Sequence, residues 1–313
     1  MDIQSKIILI SGPTASGKSN FAVKIANKIN GEIINADSMQ VYRQLKILTA
    51  RPSKKEQKNI KHHLYGIIDI NKNFSTGQWL KLTIKKIKEI RKRKKIPILV
   101  GGTGLYFQSI VNGLVKIPNI PLKFRNKIRA IQKKEGQKKF YKKLLRVDKK
   151  AKDKFDQNDT QRSIRAFEIK LYTKISMYDW LNKTKSVFKD NEFFKLYIDF
   201  NRQDLVKRIS LRTLKMIKKG AIKEVKRFSA KKIKKGSSVN KVIGVNELKQ
   251  YLKNQITLAE VKELISIRTR QYAKRQATWA RSRMITWKKI NPSEISHYIK
   301  KINKLSLKLD QLI

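Results

Sequence analysis

The run Gly12–Pro13–Thr14–Ala15–Ser16–Gly17–Lys18–Ser19 has the spacing of a P-loop, a glycine and four residues followed by Gly-Lys-Ser. In such a loop the small residues let backbone N–H groups close around phosphate oxygens, and the following helix N-terminus adds positive potential. Lys18 supplies a mobile cation, and the Ser19 hydroxyl can ligate Mg²⁺. A turn that merely joined strand to helix would need neither. The loop does not by itself fix the reaction. Nucleotide hydrolases add a second apolar strand ending in an acid that holds the Mg²⁺, whereas Ile98–Leu99–Val100 ends in Gly101–Gly102–Thr103.

The acid at a strand end is Asp37, after Ile33–Ile34–Asn35–Ala36. It fits a Mg²⁺ ligand or a general base beside the phosphate site. Asp37-x-x-Gln40 also has capping-box spacing, and one residue can serve both purposes. Thr103 has the same ambiguity. It can cap a helix beginning at Leu105–Tyr106–Phe107, or face a ligand brought close by Gly101, Gly102 and Gly104. His62–His63 has no Cys, carboxylate or further His at ligand spacing, so a metal site is not expected there.

Three basic segments follow. Tyr272 and Trp279 share a helix face with Lys274, Arg275 and Arg281 around them, which suits phosphate contact with base stacking or a packed aromatic stripe. Arg208 and Arg212 share another face. Asp159–Thr160–Gln161–Arg162–Ser163–Ile164–Arg165 opens a helix with two arginines against its dipole, facing an external anion or solvent.

The elements that position these residues read as strand, helix, strand, helix. Ile7–Ile10 is a short buried strand, and Phe21, Ile25 and Ile29 mark an amphipathic helix. Glu32–Asn35 is a second strand, Lys81–Lys95 a basic helix and Ile96–Val100 a third strand. This order predicts an α/β fold, a P-loop parallel sheet core flanked by helices. After Gly113 the pattern changes, and Leu122 to about Lys189 is charged and helical. The expected divisions are 1–117 for the first part of the core, 118–190 for an all-helical insertion domain, and 191–313 for core completion. The last part contains a return strand at Leu196–Phe200 and basic helices from Asp204 to about Ala230 and from Leu258 to about Arg283, with a loop at Gly236–Ser238 between them.

Lys and Arg total 75 against 23 Asp and Glu, a net charge of +52 that attracts a polyanion. An AT-rich coding sequence, which favours Lys, Ile and Asn, also raises this figure. The absence of cysteine excludes disulfides and thiolate zinc sites. With no apolar run long enough to span a bilayer and no signal-peptide pattern at Met1–Lys6, a cytoplasmic enzyme without a membrane anchor is expected.

The sequence resembles the bacterial-type tRNA dimethylallyltransferases, the tRNA isopentenyltransferase family, through nearly its whole length. The matching runs are Gly12–Ser19, Ile34–Tyr42 (INADSMQVY), His62–Leu64 and Pro97–Tyr106 (PILVGGTGLY). Asn158–Glu168 and Thr269–Trp279 (TRQYAKRQATW) complete them. The resemblance implies that Gly12, Pro13, Thr14, Ala15, Ser16, Gly17, Lys18 and Ser19 bind the pyrophosphate of dimethylallyl pyrophosphate, with Mg²⁺ on Ser19. It implies catalysis by Asp37, taking a proton from the adenine amine, by Thr103, orienting that amine, and by Arg212, stabilising the leaving pyrophosphate. The implied partner is the anticodon stem-loop of tRNA, met by Asp37, Ser38, Met39, Gln40 and Thr103, by Arg125, Gln161, Arg162, Ser163, Ile164 and Arg165, and by Lys274, Arg275, Gln276, Trp279 and Arg281. A monomer with no obligate protein partner is expected. The chain departs from the family at Val245–Asn246, where Tyr-Arg is common, and without cysteine it is not the zinc-finger type. A P-loop kinase acting on a nucleotide or RNA, and a non-catalytic basic RNA chaperone, are the competing readings. The first needs Asp37 to serve Mg²⁺ in phosphoryl transfer, and the second leaves the P-loop, Asp37 and Thr103 without a purpose.

Overall fold

The computed structural model describes residues 6–115, 117–233 and 237–300, so Gly236 of the expected loop lies outside the described residues. The chain forms two compact units, Met1–Val111 with Phe188–Ile313, and Asn112–Val187.

The first unit is built on a wholly parallel sheet of β1 (Ile7–Ser11), β2 (Gly31–Asn35), β3 (His62–His63), β4 (Ile96–Gly101), β5 (Phe193–Ile198) and β6 (Lys288–Ile290). The strand order is β3-β2-β4-β1-β5-β6. The central strands are apolar along both faces because helices cover both. Ile8, Ile10, Ile33, Ile98 and Val100 pack on one side with Phe21 and Ile25 of α1 (Lys18–Lys28). On the other side Ile7, Leu9, Ile34 and Leu99 meet Trp79 and Ile87 of α3 (Thr76–Lys92), which follows the short α2 (Lys54–Gln57). Tyr106 and Phe107 of α4 (Gly104–Asn112) join that second face.

The second unit contains α5 (Leu122–Val147), interrupted at Gly136, α6 (Thr160–Thr173) and α7 (Met177–Asn182). Ile128, Phe140, Leu144, Ala166 and Phe167 form its core. Beyond it, the first unit continues with α8 (Arg202–Lys218), α9 (Ala221–Ser229), α10 (Val245–Leu252) and α11 (Leu258–Arg283).

Two expectations are corrected. The helix expected from Asp204 to about Ala230 is two helices, because Gly220 takes a left-handed φ of 95° and turns the chain. The edge strands β3 and β6 were not foreseen, being only two and three residues long. In β3, His63 Nε2 lies 2.6 Å from the buried Glu32 carboxylate, so this histidine is used in packing the sheet edge. No group of three or more metal-ligating side chains occurs among the described residues, and no described helix is long and apolar enough to cross a membrane.

A third core joins Val41, Tyr42, Leu45 and Leu48 to Val225, Phe228, Val245, Leu248, Val261 and Ile265. Here the Glu224 carboxylate accepts from the amides of Lys46, Ile47 and Leu48 at 2.7, 2.8 and 3.0 Å. It thereby fixes the far end of the segment that follows Asp37. Val245, at the family departure, is fully buried in this core.

Candidate active site

The site forms where β1, β2 and β4 end, the edge at which open parallel sheets receive ligands. From β1 the chain enters the P-loop, where Ala15 and Gly17 take left-handed φ values of 65° and 88°. Ser16 N donates to Pro13 O at 3.2 Å, closing the loop. The Ser16 hydroxyl is buried and takes no hydrogen bond from the described residues. Lys18 Nζ donates to Pro13 O at 3.1 Å. Arg212 of α8 donates to Thr14 Oγ1 at 2.7 Å, and Arg208, one turn earlier, to Ala15 O at 2.8 Å while lying 5.0 Å over the Phe200 ring. Burial lowers the Lys18 ammonium to about 8, with the Arg212 charge adding to the shift and Asp37 opposing it. Arg212 is lowered too, by burial against the pull of Asp37. Two cations thus face a loop of neutral oxygens, an arrangement suited to an anion.

Asp37 follows β2. No helix starts there, so the capping-box reading changes form. Its Oδ1 accepts from Met39 N at 2.9 Å and Gln40 N at 3.4 Å, closing a turn. The other carboxylate oxygen takes no hydrogen bond or ion pair from the described residues. Asn35, fully buried, holds the Asp37 backbone: its Oδ1 accepts from Asp37 N at 2.9 Å and its Nδ2 donates to Asp37 O at 3.0 Å. In the sequence the signal for Asn35 is a polar residue closing an apolar strand.

Thr103, after β4, does not use its hydroxyl on α4. Its Oγ1 accepts from Ser38 N at 2.9 Å and lies 3.3 Å from Ser38 Oγ. The approach depends on Gly101, because a Cβ there would sit 2.0 Å from Ala36 O. Met39 packs on the third core, and the Gln40 amide donates to Thr49 O at 2.9 Å. The phenols of Tyr65, Tyr106 and Tyr272 are all pushed up by burial, with the Asp37 charge adding to each.

On α11 the residues divide by face. Tyr272, Gln276 and Trp279 are partly buried, while Lys274, Arg275 and Arg281 are exposed. Trp279 packs over the loop after β4, where a Cβ on Gly104 would come 2.3 Å from its ring. This is the packed-stripe alternative for Trp279.

In the helical unit, Gln161 and Arg162 are exposed, and Arg162 pairs with Asp159 at 3.4 Å. Arg165, for which an external anion and solvent stood as alternatives, meets an internal carboxylate, Glu168, at 3.4 Å, which Arg125 also reaches at 3.4 Å. Ser163 is fully buried against Gln137, and Ile164 is partly buried on the unit's core.

A P-loop edge with an acid and a hydroxyl in the loops after the neighbouring strands defines a phosphate-handling site of the α/β class. The IPP transferase family model matches residues 40–283. The chain is 74% identical over 312 residues to the tRNA dimethylallyltransferase of Pelagibacter ubique, covering 100% of both chains. It is 40% identical to that of Rickettsia massiliae, over 95% of this chain and 83% of the relative. Among solved structures, a eukaryotic dimethylallyltransferase acting on tRNA superposes with a TM-score of 0.81 at 30% identity, covering 94% of this chain and 75% of that one. The full-length tRNA isopentenylpyrophosphate transferase of Bacillus halodurans gives 0.68 at 30% identity, over 98% and 99%. The chain belongs to the IPP transferase family.

Proposed function

We propose that this protein transfers a dimethylallyl group from dimethylallyl pyrophosphate to the N6 amine of the adenosine 3′ to the anticodon in tRNA. One observation carries the assignment of roles: among the described residues, Lys18 and Arg212 hold neutral oxygens at the P-loop and no carboxylate, while one Asp37 carboxylate oxygen has no partner, beside Ser38 and Thr103. The adenine leaves its stack to reach this edge. Thr103 orients the amine. N6 attacks the allylic carbon, the carbon–oxygen bond to pyrophosphate breaks, and the amine proton passes to Asp37. Lys18, Arg212 and the loop amides stabilise the charge that grows on the departing pyrophosphate, a contribution that acts on the transition state.

Mg²⁺ fits as a companion of the substrate, because it binds through few protein oxygens and several phosphate oxygens or waters. The Ser19 hydroxyl at the first turn of α1 would hold it, and it would neutralise pyrophosphate charge. The exposed cations Lys274, Arg275, Arg281 and Arg162 supply phosphate contacts for the anticodon stem-loop. The groups named all come from one chain, which fits a monomer, and a tRNA substrate fits a cytoplasmic enzyme.

The test is mass analysis of tRNA nucleosides after incubation with dimethylallyl pyrophosphate. A dimethylallyl adduct on adenosine is expected, with no ADP when ATP replaces the donor. Stoichiometric ADP without adduct would put a kinase in its place.

A further inference from the structure

Gln276 of α11 touches both halves of the site. Its Oε1 accepts from Thr14 N at 2.8 Å in the P-loop, and its Nε2 donates to Gly102 O at 2.8 Å in the loop after β4. The two neighbours fix the orientation of the amide, since a backbone donor faces its oxygen and a backbone acceptor its nitrogen. The contact also explains Gly102, where a Cβ would lie 2.2 Å from Gln276 Nε2. Each loop is held again on its far side: Thr14 by Arg212 at 2.7 Å, and Thr103, adjacent to Gly102, by Ser38 N at 2.9 Å.

We infer that Gln276 is a positioning residue that makes the donor loop and the acceptor loop one mechanical unit, so that pyrophosphate in the P-loop stiffens the loop carrying Thr103. This inference rests on the proposed transfer reaction. One lone pair of the Gln276 oxygen is committed to Thr14 and one N–H to Gly102, so these two bonds fix where the side chain sits, and the binding arm of the test below separates this positioning from base reading. A glutamate would keep the bond to Thr14 but set a carboxylate oxygen against the Gly102 carbonyl, and a methionine would keep the volume and lose both bonds.

Amide hydrogen exchange of the full chain, with and without inorganic pyrophosphate, tests this directly. In the unmodified protein, pyrophosphate is expected to slow exchange in residues 12–19 and also in 101–104. In Gln276→Met the protection is expected to stop at 12–19. With donor and tRNA, Gln276→Met and Gln276→Glu are expected to lower kcat roughly 10- to 100-fold through misplacement of the reacting groups, while the tRNA Kd stays within about twofold of its original value. Protection confined to 12–19 in the unmodified protein overturns the coupling. So does a tenfold or greater loss of tRNA affinity in Gln276→Met with exchange unchanged, which would make Gln276 a base reader. If no prenylated tRNA forms even with the unmodified protein, the transfer reading fails, and the exchange experiment still decides the coupling.

Discussion

In the helical unit, Arg125, Arg129 and Arg165 converge on one carboxylate, Glu168, which is 1% exposed. In the parallel-sheet unit, Lys18, Arg208 and Arg212 are held by carbonyl and hydroxyl oxygens, with no carboxylate within ion-pair distance among the described residues. A guanidinium on a carboxylate has its charge answered and acts mainly on stability. A cation on neutral oxygens is positioned while its charge stays available to an incoming anion. With so large an excess of positive charge, the number of basic residues says little, and the kind of atom that holds each one distinguishes binding from scaffold.

The hardest test concerns Asp37, the acid whose charge acts on Lys18 and Arg212. Were it their counter-ion, Asp37→Ala would tighten pyrophosphate binding and spare turnover. As a general base, its loss lowers single-turnover transfer by ~10²–10⁴ with tRNA affinity nearly unchanged.

Arg212→Ala is expected to slow transfer by ~10²–10³, the worth of one fixed charge-stabilising donor, with little change in urea midpoint. Glu168→Ala is the counterpart in the helical unit. It leaves three partly exposed guanidiniums facing one another and is expected to destabilise by about 1–3 kcal/mol in urea unfolding, with near-normal transfer by the folded protein. Interchanged phenotypes would break the comparison.

The pH dependence sharpens it. With Lys18 lowered to about 8, its charge is present below that pH and lost above it. Affinity for inorganic pyrophosphate, measured by calorimetry, should fall as pH rises through about 8, by up to about tenfold per pH unit. The unfolded chain keeps this proton to about 10.4, so between about 8 and 10.4 the same group makes stability rise with pH. An affinity flat to pH 9.5 would restore an ordinary lysine. The smallest effect is in the helical unit: Arg162→Gln should reduce the salt slope of tRNA binding by about 1, because its pair with Asp159 is solvent-exposed and screened, and Arg165→Gln by less, because its partner Glu168 is buried.

The P-loop and the central strands were legible because each rests on local pattern, a fixed spacing or an uninterrupted apolar run. Arg165 was legible in principle, since Glu168 lies one turn away at ion-pair spacing. The edge strands were not, because two or three residues of β3 and β6 carry no periodicity and are strands only through their neighbours. Gln276 carries an expectation of tRNA contact, but its bonds to Thr14 and Gly102 are not legible, because the type of an amide side chain does not reveal which distant backbone groups it joins.

The bond from Thr14 to Gln276 spans 262 residues and that from Leu48 to Glu224 spans 176. During synthesis the segments proposed to bind donor and acceptor leave the ribosome first, yet their partners are made last. Until α11 emerges, a nascent chain carries the P-loop residues without the helix that holds them, and closure of such long loops is slow. Termination before α11 is therefore expected to leave a chain with no transfer activity rather than a weakened enzyme.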